Sequence, residues 1–168
     1  MTRIPTKTQL ALARLVIALS AALVVVGLVM YGVSSEVLVR IWHNLLDRPG
    51  GPFVFRFVLQ PAMASMAALR DGLHDARMGR APFLRTVLTD PAQRRARLDE
   101  ALIATSRIVL LGLAMDTAYQ LIEFKTFRPV EALIIALLLG VLPYLVLRGL
   151  VTRIARRRLG PGSPGRMP

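Results

Sequence analysis

The chain has 168 residues, of which 54% are hydrophobic, and it carries a net charge of +12 with a mean hydropathy of +0.53. Such a composition excludes an ordinary soluble domain, because one core of this size cannot bury so much apolar surface. The lack of cysteine excludes disulfides, thiolate zinc sites and iron–sulfur ligation. We expect no cofactor or metal. The counter-charge expected for the basic residues is the anionic headgroups of the inner leaflet rather than nucleic acid, because the charge flanks apolar stretches.

The first apolar stretch predicts a transmembrane span at residues 10–33. Its uninterrupted part, Leu15 to Val33, has 19 residues, which is enough to cross a hydrocarbon core of about 30 Å. This run is longer than the apolar core of a signal peptide, so we expect it to be retained. The next segment, residues 36–47, has apolar residues at helical spacing beside Trp42. It predicts a short interfacial helix, since tryptophan favours the headgroup boundary.

The second predicted span, residues 53–70, is decided by charge because it contains Arg56, Gln60 and Pro61. If it crosses, sixteen Lys and Arg residues lie on one side with both termini, and four lie on the other. If it does not cross, the arginine-rich end of the chain lies outside, against the positive-inside rule. We therefore predict an all-α bundle with four transmembrane spans, both termini in the cytoplasm, and a multi-pass location in the inner membrane.

The remaining two spans have clear helix starts. Asp90 is predicted as an N-cap, with Pro91 at the first helical position and Gln93 completing a capping box. This helix carries the third span, residues 102–122, and a fourth span at 130–148 follows Pro129. Residues 1–159 then form a single transmembrane helical domain, and the Gly/Pro/Ser-rich residues 160–168 are predicted to be a disordered tail.

Polar residues inside the spans predict an intramembrane cluster of Arg56, Gln60, Asp116, Tyr119 and Gln120. An ionisable group at a span centre costs about 2.5–3.5 kcal/mol, so each needs a partner or a function. Asp116 lies roughly 10 Å below the outer end of its span, and Arg56 and Gln60 lie roughly 6 and 12 Å deep. We therefore predict a buried Arg56–Asp116 ion pair. It acts either as part of a proton or ion relay or, as we favour, as a structural contact that fixes helix packing.

Small residues recur at every fourth position in two spans, which predicts helix-packing faces. They are Ala64, Ala68, Gly72 and Ala76 in the second span, and Ala132, Ala136 and Gly140 in the fourth, extended by Tyr144 and Arg148. Such faces let helix backbones approach closely. They also offer a means of self-association, so the expected partners are a second copy of the chain or another membrane protein.

The connector between the second and third spans is basic. Arg70 to Arg97 are predicted to form an amphipathic surface segment that rests on anionic lipid. Within it, Asp71, His74 and Asp75 are interpreted as a solvated helix end rather than a metal site, because one helical turn supplies too few ligands.

A resemblance covers most of the chain after the first span. Residues 56–79, "RFVLQPAMASMAALRDGLHDARMG", with the later "LTDP", "DTAYQ" and "PYLVLRG", resemble a family of small, uncharacterised bacterial integral membrane proteins. The resemblance implies a compact four-span architecture. It implies no activity, cofactor or site residue.

These observations favour a non-enzymatic accessory or interaction subunit of the inner membrane. The alternative is a small permease or an ion- or proton-coupled channel that uses the intramembrane polar cluster as its path. An enzyme ranks third, because no catalytic motif stands out in the sequence.

Overall fold

The computed structural model describes residues 5–32 and 54–159, together with Glu36, Val39, Trp42 and His43. The described part is entirely helical and contains no strand, as predicted. Its elements are α1 (Lys7–Tyr31), α2 (Arg56–Arg77), α3 (Phe83–Thr89), α4 (Pro91–Tyr119), a π-helix (Gln120–Phe124) that continues α4, and α5 (Pro129–Leu159).

Three helices are long and apolar enough to cross a membrane. They are α1, α4 with its π-helical continuation, and α5. Helix α2 is not among them, because it carries polar residues such as Arg56 and Gln60 among its apolar ones. The structure therefore supports a helical protein compatible with a membrane, with three candidate spans.

The predicted start of α4 is confirmed. Asp90 is the N-cap, accepting hydrogen bonds from the backbone N–H of Ala92 at 3.0 Å and of Gln93 at 3.2 Å, and Pro91 is the first helical residue. The capping box differs, because the Gln93 side chain donates to the Asp90 carboxylate at 2.7 Å. The backbone N–H of Asp90 is already used by the last turn of α3, where it donates to the Thr86 carbonyl at 2.9 Å.

The small-residue face of α2 packs on α5. Ala64 and Ala68 have no exposed surface, and a methyl group added at Gly72 would lie 2.8 Å from the Val151 side chain and 2.9 Å from the Arg148 carbonyl. The two backbones can approach this closely only because Gly72 has no side chain.

The small-residue face of α5 packs on α4. Ala132 and Ala136 share a core with Val109 and Leu113 of α4, and a methyl group at Gly140 would lie 3.1 Å from Ile108. Both predicted packing faces are therefore filled within a single chain. Their residues are buried within the single chain, and self-association through these faces stays a prediction.

Helices α2 and α5 continue beyond the predicted ends of their spans. The second span was expected at 53–70, but α2 continues to Arg77, and α5 continues past residue 148 to Leu159. Of the predicted interfacial helix at 36–47, the four described residues are helical. The rest of that helix and the predicted tail at 160–168 lie outside the described residues.

Candidate functional site: two polar clusters between the helices

The predicted Arg56–Asp116 ion pair is present and joins α2 to α4. Arg56 Nη1 lies 2.7 Å from Asp116 Oδ1, and the side chains are 1% and 0% exposed. The Arg56 guanidinium also lies 5.0 Å from the centre of the Tyr119 ring, where the negative face of the ring attracts the cation. We call the five predicted residues, Arg56, Gln60, Asp116, Tyr119 and Gln120, the first polar cluster.

Gln120 links this cluster to the loop before α5. Its amide nitrogen donates to Asp116 Oδ2 at 2.7 Å and to the Arg128 carbonyl at 3.3 Å, and its amide oxygen accepts from the Arg128 backbone N–H at 2.6 Å. Gln120 is also where α4 gives way to the π-helix. Gln120 therefore pairs the Arg128 backbone N–H at the start of α5, whereas the Arg128 carbonyl also accepts from the Ala132 N–H at 3.1 Å.

Gln60 lies next to the pair without joining its hydrogen bonds. Its side chain is buried against Gly112, where an added methyl group would collide with the Gln60 amide nitrogen. Neither amide atom of Gln60 has a hydrogen-bond partner within the described part of the chain. An unsatisfied buried polar group costs about 1–3 kcal/mol, so Gln60 is the energetically unfavourable member of the cluster.

The first polar cluster is closed to solvent. Arg56 and Gln60 are 1% exposed, and Asp116 and Gln120 are 0% exposed. These side chains therefore have almost no surface in contact with solvent. The geometry can hold α2 against α4, and it leaves no open path from solvent to the Asp116 carboxylate.

A second polar cluster centres on Asp75, near the end of α2. Its carboxylate has no exposed surface and accepts from Arg97 Nη1 at 2.8 Å and from Arg148 Nε at 2.8 Å. Glu100 Oε2 accepts from the same two arginines at 3.1 and 3.0 Å. The cluster therefore ties the ends of α2, α4 and α5 together. It also includes Asp71, Arg80 and Tyr144.

Hydrogen bonds and ring contacts extend the second cluster. The Tyr144 hydroxyl donates to Asp71 Oδ2 at 2.7 Å and accepts from Arg148 Nη1 at 2.9 Å, and the Arg148 guanidinium lies 4.8 Å from the centre of the Phe83 ring. Burial disfavours the charged form of Asp75, but hydrogen bonds from Arg148 and Arg97 outweigh this cost, so its pKa lies below that of a free aspartate.

The sequence analysis missed the second cluster. It interpreted Asp75 as part of a solvated helix end and Arg97 as part of a lipid-facing surface segment, yet both are buried. The available signal was the position of Asp75, seven residues after Ala68 and therefore on the small-residue face of α2. The described residues contain no group of three or more histidines or carboxylates that could hold a metal ion.

Comparison with protein families, with curated proteins and with solved structures gives no match for this chain. The resemblance to a bacterial membrane protein family therefore stays a prediction.

Proposed function

We propose that the chain is a multi-pass protein of the inner membrane in which α2 is a fourth span and both termini face the cytoplasm. Helix α2 has 22 residues, which gives a length of about 33 Å at 1.5 Å per residue. Its polar residues Arg56 and Gln60 are buried, whereas Val58 and Met66 are 73% and 64% exposed. The exposed residues are apolar up to Leu69, and the exposed Arg70 and Arg77 follow toward the end of the helix. The face that would meet lipid is therefore more apolar than the average over both faces.

In this membrane we propose a non-enzymatic accessory or interaction role. The observation that carries it is the sealed contact between Arg56 and Asp116, at 2.7 Å with both side chains buried. A relay needs water or another titratable group next to the carboxylate, whereas a structural pair needs only its partner and exclusion of solvent. The expected partner is another membrane protein, or a second copy that contacts a surface outside the small-residue faces.

A flux assay tests this role directly. The purified protein, reconstituted in liposomes that contain a pH-sensitive dye, should transmit no more protons than empty liposomes after a pH step. Asp116→Asn should behave in the same way. Proton flux in the wild-type protein that Asp116→Asn abolishes would refute the accessory role and establish the alternative.

Two observations together favour the alternative, a small permease or an ion- or proton-coupled channel. The Gln60 amide has no hydrogen-bond partner among the described residues, and a π-helix begins at Gln120, one helical turn after Asp116. Interruptions of this kind are frequent at functional sites. A cavity that opens at this point in a second conformation would expose the Gln60 amide to an ion, and the flux assay would then show the movement.

A further inference from the structure

A basic cleft lies between the start of α3 and the end of α5. Its volume is about 420 Å³, and its walls are Pro82, Arg85, Arg153, Arg156 and Arg157. In α5, Arg156 and Arg157 follow Arg153 by three and four residues, so each lies on the same side of the helix as Arg153. That face points at the loop that leads into α3.

The loop that leads into α3 forms one wall of the cleft, and two arginines hold it, the buried Arg97 and the exposed Arg156. Arg97 Nη2 donates to the Ala81 carbonyl at 3.1 Å, and Arg156 Nη1 donates to the Arg80 carbonyl at 3.4 Å. Because Arg97 is itself fixed by Asp75, the second polar cluster positions one wall of the cleft. The other wall is α5, which the same cluster holds through Arg148.

The charge in the cleft is uncompensated. The buried arginines of the bundle are paired with carboxylates, Arg56 with Asp116, and Arg97 and Arg148 with Asp75. By contrast, four arginines and no carboxylate line the cleft in the described part of the chain. Four like charges around one cavity repel each other, and an anion between them reduces that repulsion.

The helix segments that carry the cleft arginines also carry exposed apolar residues. Leu88 of α3 is 74% exposed and Ile154 of α5 is 54% exposed, with Leu84 and Leu150 also exposed. These residues neighbour the cleft arginines in sequence. A soluble anion would gain nothing from them, whereas a phospholipid would place its acyl chains against them and its phosphate between the guanidinium groups.

We propose that this cleft binds the phosphate headgroup of an anionic phospholipid, with Arg153 and Arg157 from one wall and Arg85 from the other as its principal contacts. Guanidinium groups suit this ligand because each can give two parallel hydrogen bonds to phosphate oxygens. The proposal requires only that this end of the bundle meets a lipid leaflet. It is independent of the accessory role.

Native mass spectrometry of the detergent-solubilised full chain tests the site. The probes are dioctanoyl phosphatidylglycerol, dioctanoyl phosphatidylcholine and inorganic phosphate. The wild-type protein should bind phosphatidylglycerol at least about ten-fold more tightly than phosphatidylcholine. Arg153→Gln with Arg157→Gln should weaken phosphatidylglycerol binding at least about ten-fold, because it removes two guanidinium groups whose charge-assisted hydrogen bonds to phosphate are about twice as strong as neutral ones.

A charge-matched control separates a defined site from general attraction. Arg95→Gln with Arg158→Gln removes two exposed arginines that do not line the cleft, and binding should change by less than about two-fold. An equal loss in both double variants would overturn the proposal. So would equal binding of the two lipids by the wild-type protein.

Two further measurements test whether the ligand is a soluble anion and whether instability of the double variant explains its loss of binding. Inorganic phosphate at the same concentration should not displace phosphatidylglycerol, and equal displacement would overturn the assignment to lipid in favour of a soluble anion. If the Arg153/Arg157 double variant melts early without lipid, Arg85→Gln on the opposite wall replaces it. That single change should lower affinity roughly five-fold, and unchanged affinity would refute the site.

Discussion

Arg56 and Asp116 carry opposite charges on two helices, and they lie 2.7 Å apart with both side chains buried. Replacing either residue with leucine should destabilise the fold by about 3–5 kcal/mol, because the remaining charge has lost its partner. Replacing both should cost less than the sum of the single losses, since two leucines leave no charge behind. Thermal unfolding of the two single variants and the double variant in detergent measures this coupling.

The control for the Arg56–Asp116 cycle is Arg107→Leu. Arg107 is an exposed arginine of α4, so its removal should change stability by no more than about 0.5 kcal/mol. Strictly additive losses in the Arg56 and Asp116 variants would mean that the two charges do not interact in solution.

The pKa of Asp75 predicts how the stability of the fold depends on pH. Its pKa is lowered in the folded protein because the hydrogen bonds from Arg148 and Arg97 outweigh the effect of burial, and Arg80 also faces it at 3.6 Å. A lowered pKa stabilises the fold above the unfolded value of about 3.9, and this stabilisation disappears as the pH falls through the folded value. Wild type should therefore exceed Asp75→Asn in stability at neutral pH.

The stability gap between wild type and Asp75→Asn should narrow as the pH is lowered from about 7 to about 3. Melting of both proteins in the same detergent at a series of pH values measures the gap. Both chains share every other carboxylate, so acid effects outside the second polar cluster cancel in the comparison. Glu100 accepts from the same two arginines as Asp75 and also has a lowered pKa, so its titration contributes to the change in the gap. A gap that stays constant across the series would show that Asp75 does not titrate as this geometry requires.

At the scale of elements, the contact between α2 and α5 depends on Gly72. Gly72→Ala should destabilise the protein by about 1–3 kcal/mol, because the new methyl group meets the Val151 side chain and the Arg148 backbone and the helices must separate. Gly149→Ala is the matched control, since a methyl group there meets nothing within 4 Å. Thermal unfolding should rank Gly72→Ala below wild type and Gly149→Ala at or above it. The reverse order would contradict the close approach.

The mean hydropathy of helix α2 hides a difference in polarity between its two faces. Its buried face carries Arg56, Gln60 and Asp75, and its exposed face carries Val58 and Met66. An average over the whole helix mixes the two faces, whereas lipid would meet only one of them. The charge distribution of the connectors does not depend on the composition of α2, so it is a separate argument for the fourth span that we propose.

At the scale of the whole molecule, the four-span proposal places both termini in the cytoplasm. Alkaline phosphatase fused after Arg158 should be inactive in cells, because the enzyme folds only in the periplasm. The same reporter inserted after Lys125, between α4 and α5, should be active and serves as the control. Activity of the Arg158 fusion would contradict four spans, since an odd number of crossings would then separate the termini.

The sequence by itself determined the helical class, the start of α4 at Asp90, the start of α5 at Pro129 and the pairing of Arg56 with Asp116. These features follow from local or one-dimensional rules. Capping chemistry acts within a few residues, and matched positions in two apolar stretches predict that a cation and a carboxylate will pair, because each is costly to bury alone.

Only the tertiary structure decided where the small-residue faces pack and what surrounds Asp75. A stripe such as Ala64, Ala68 and Gly72 fits any close helix neighbour, so the sequence could not distinguish α5 of the same chain from a second copy. The partners of Asp75, Arg97 and Arg148, lie 22 and 73 residues away along the chain. Such contacts form because three helix ends converge, and no spacing in the sequence records that convergence.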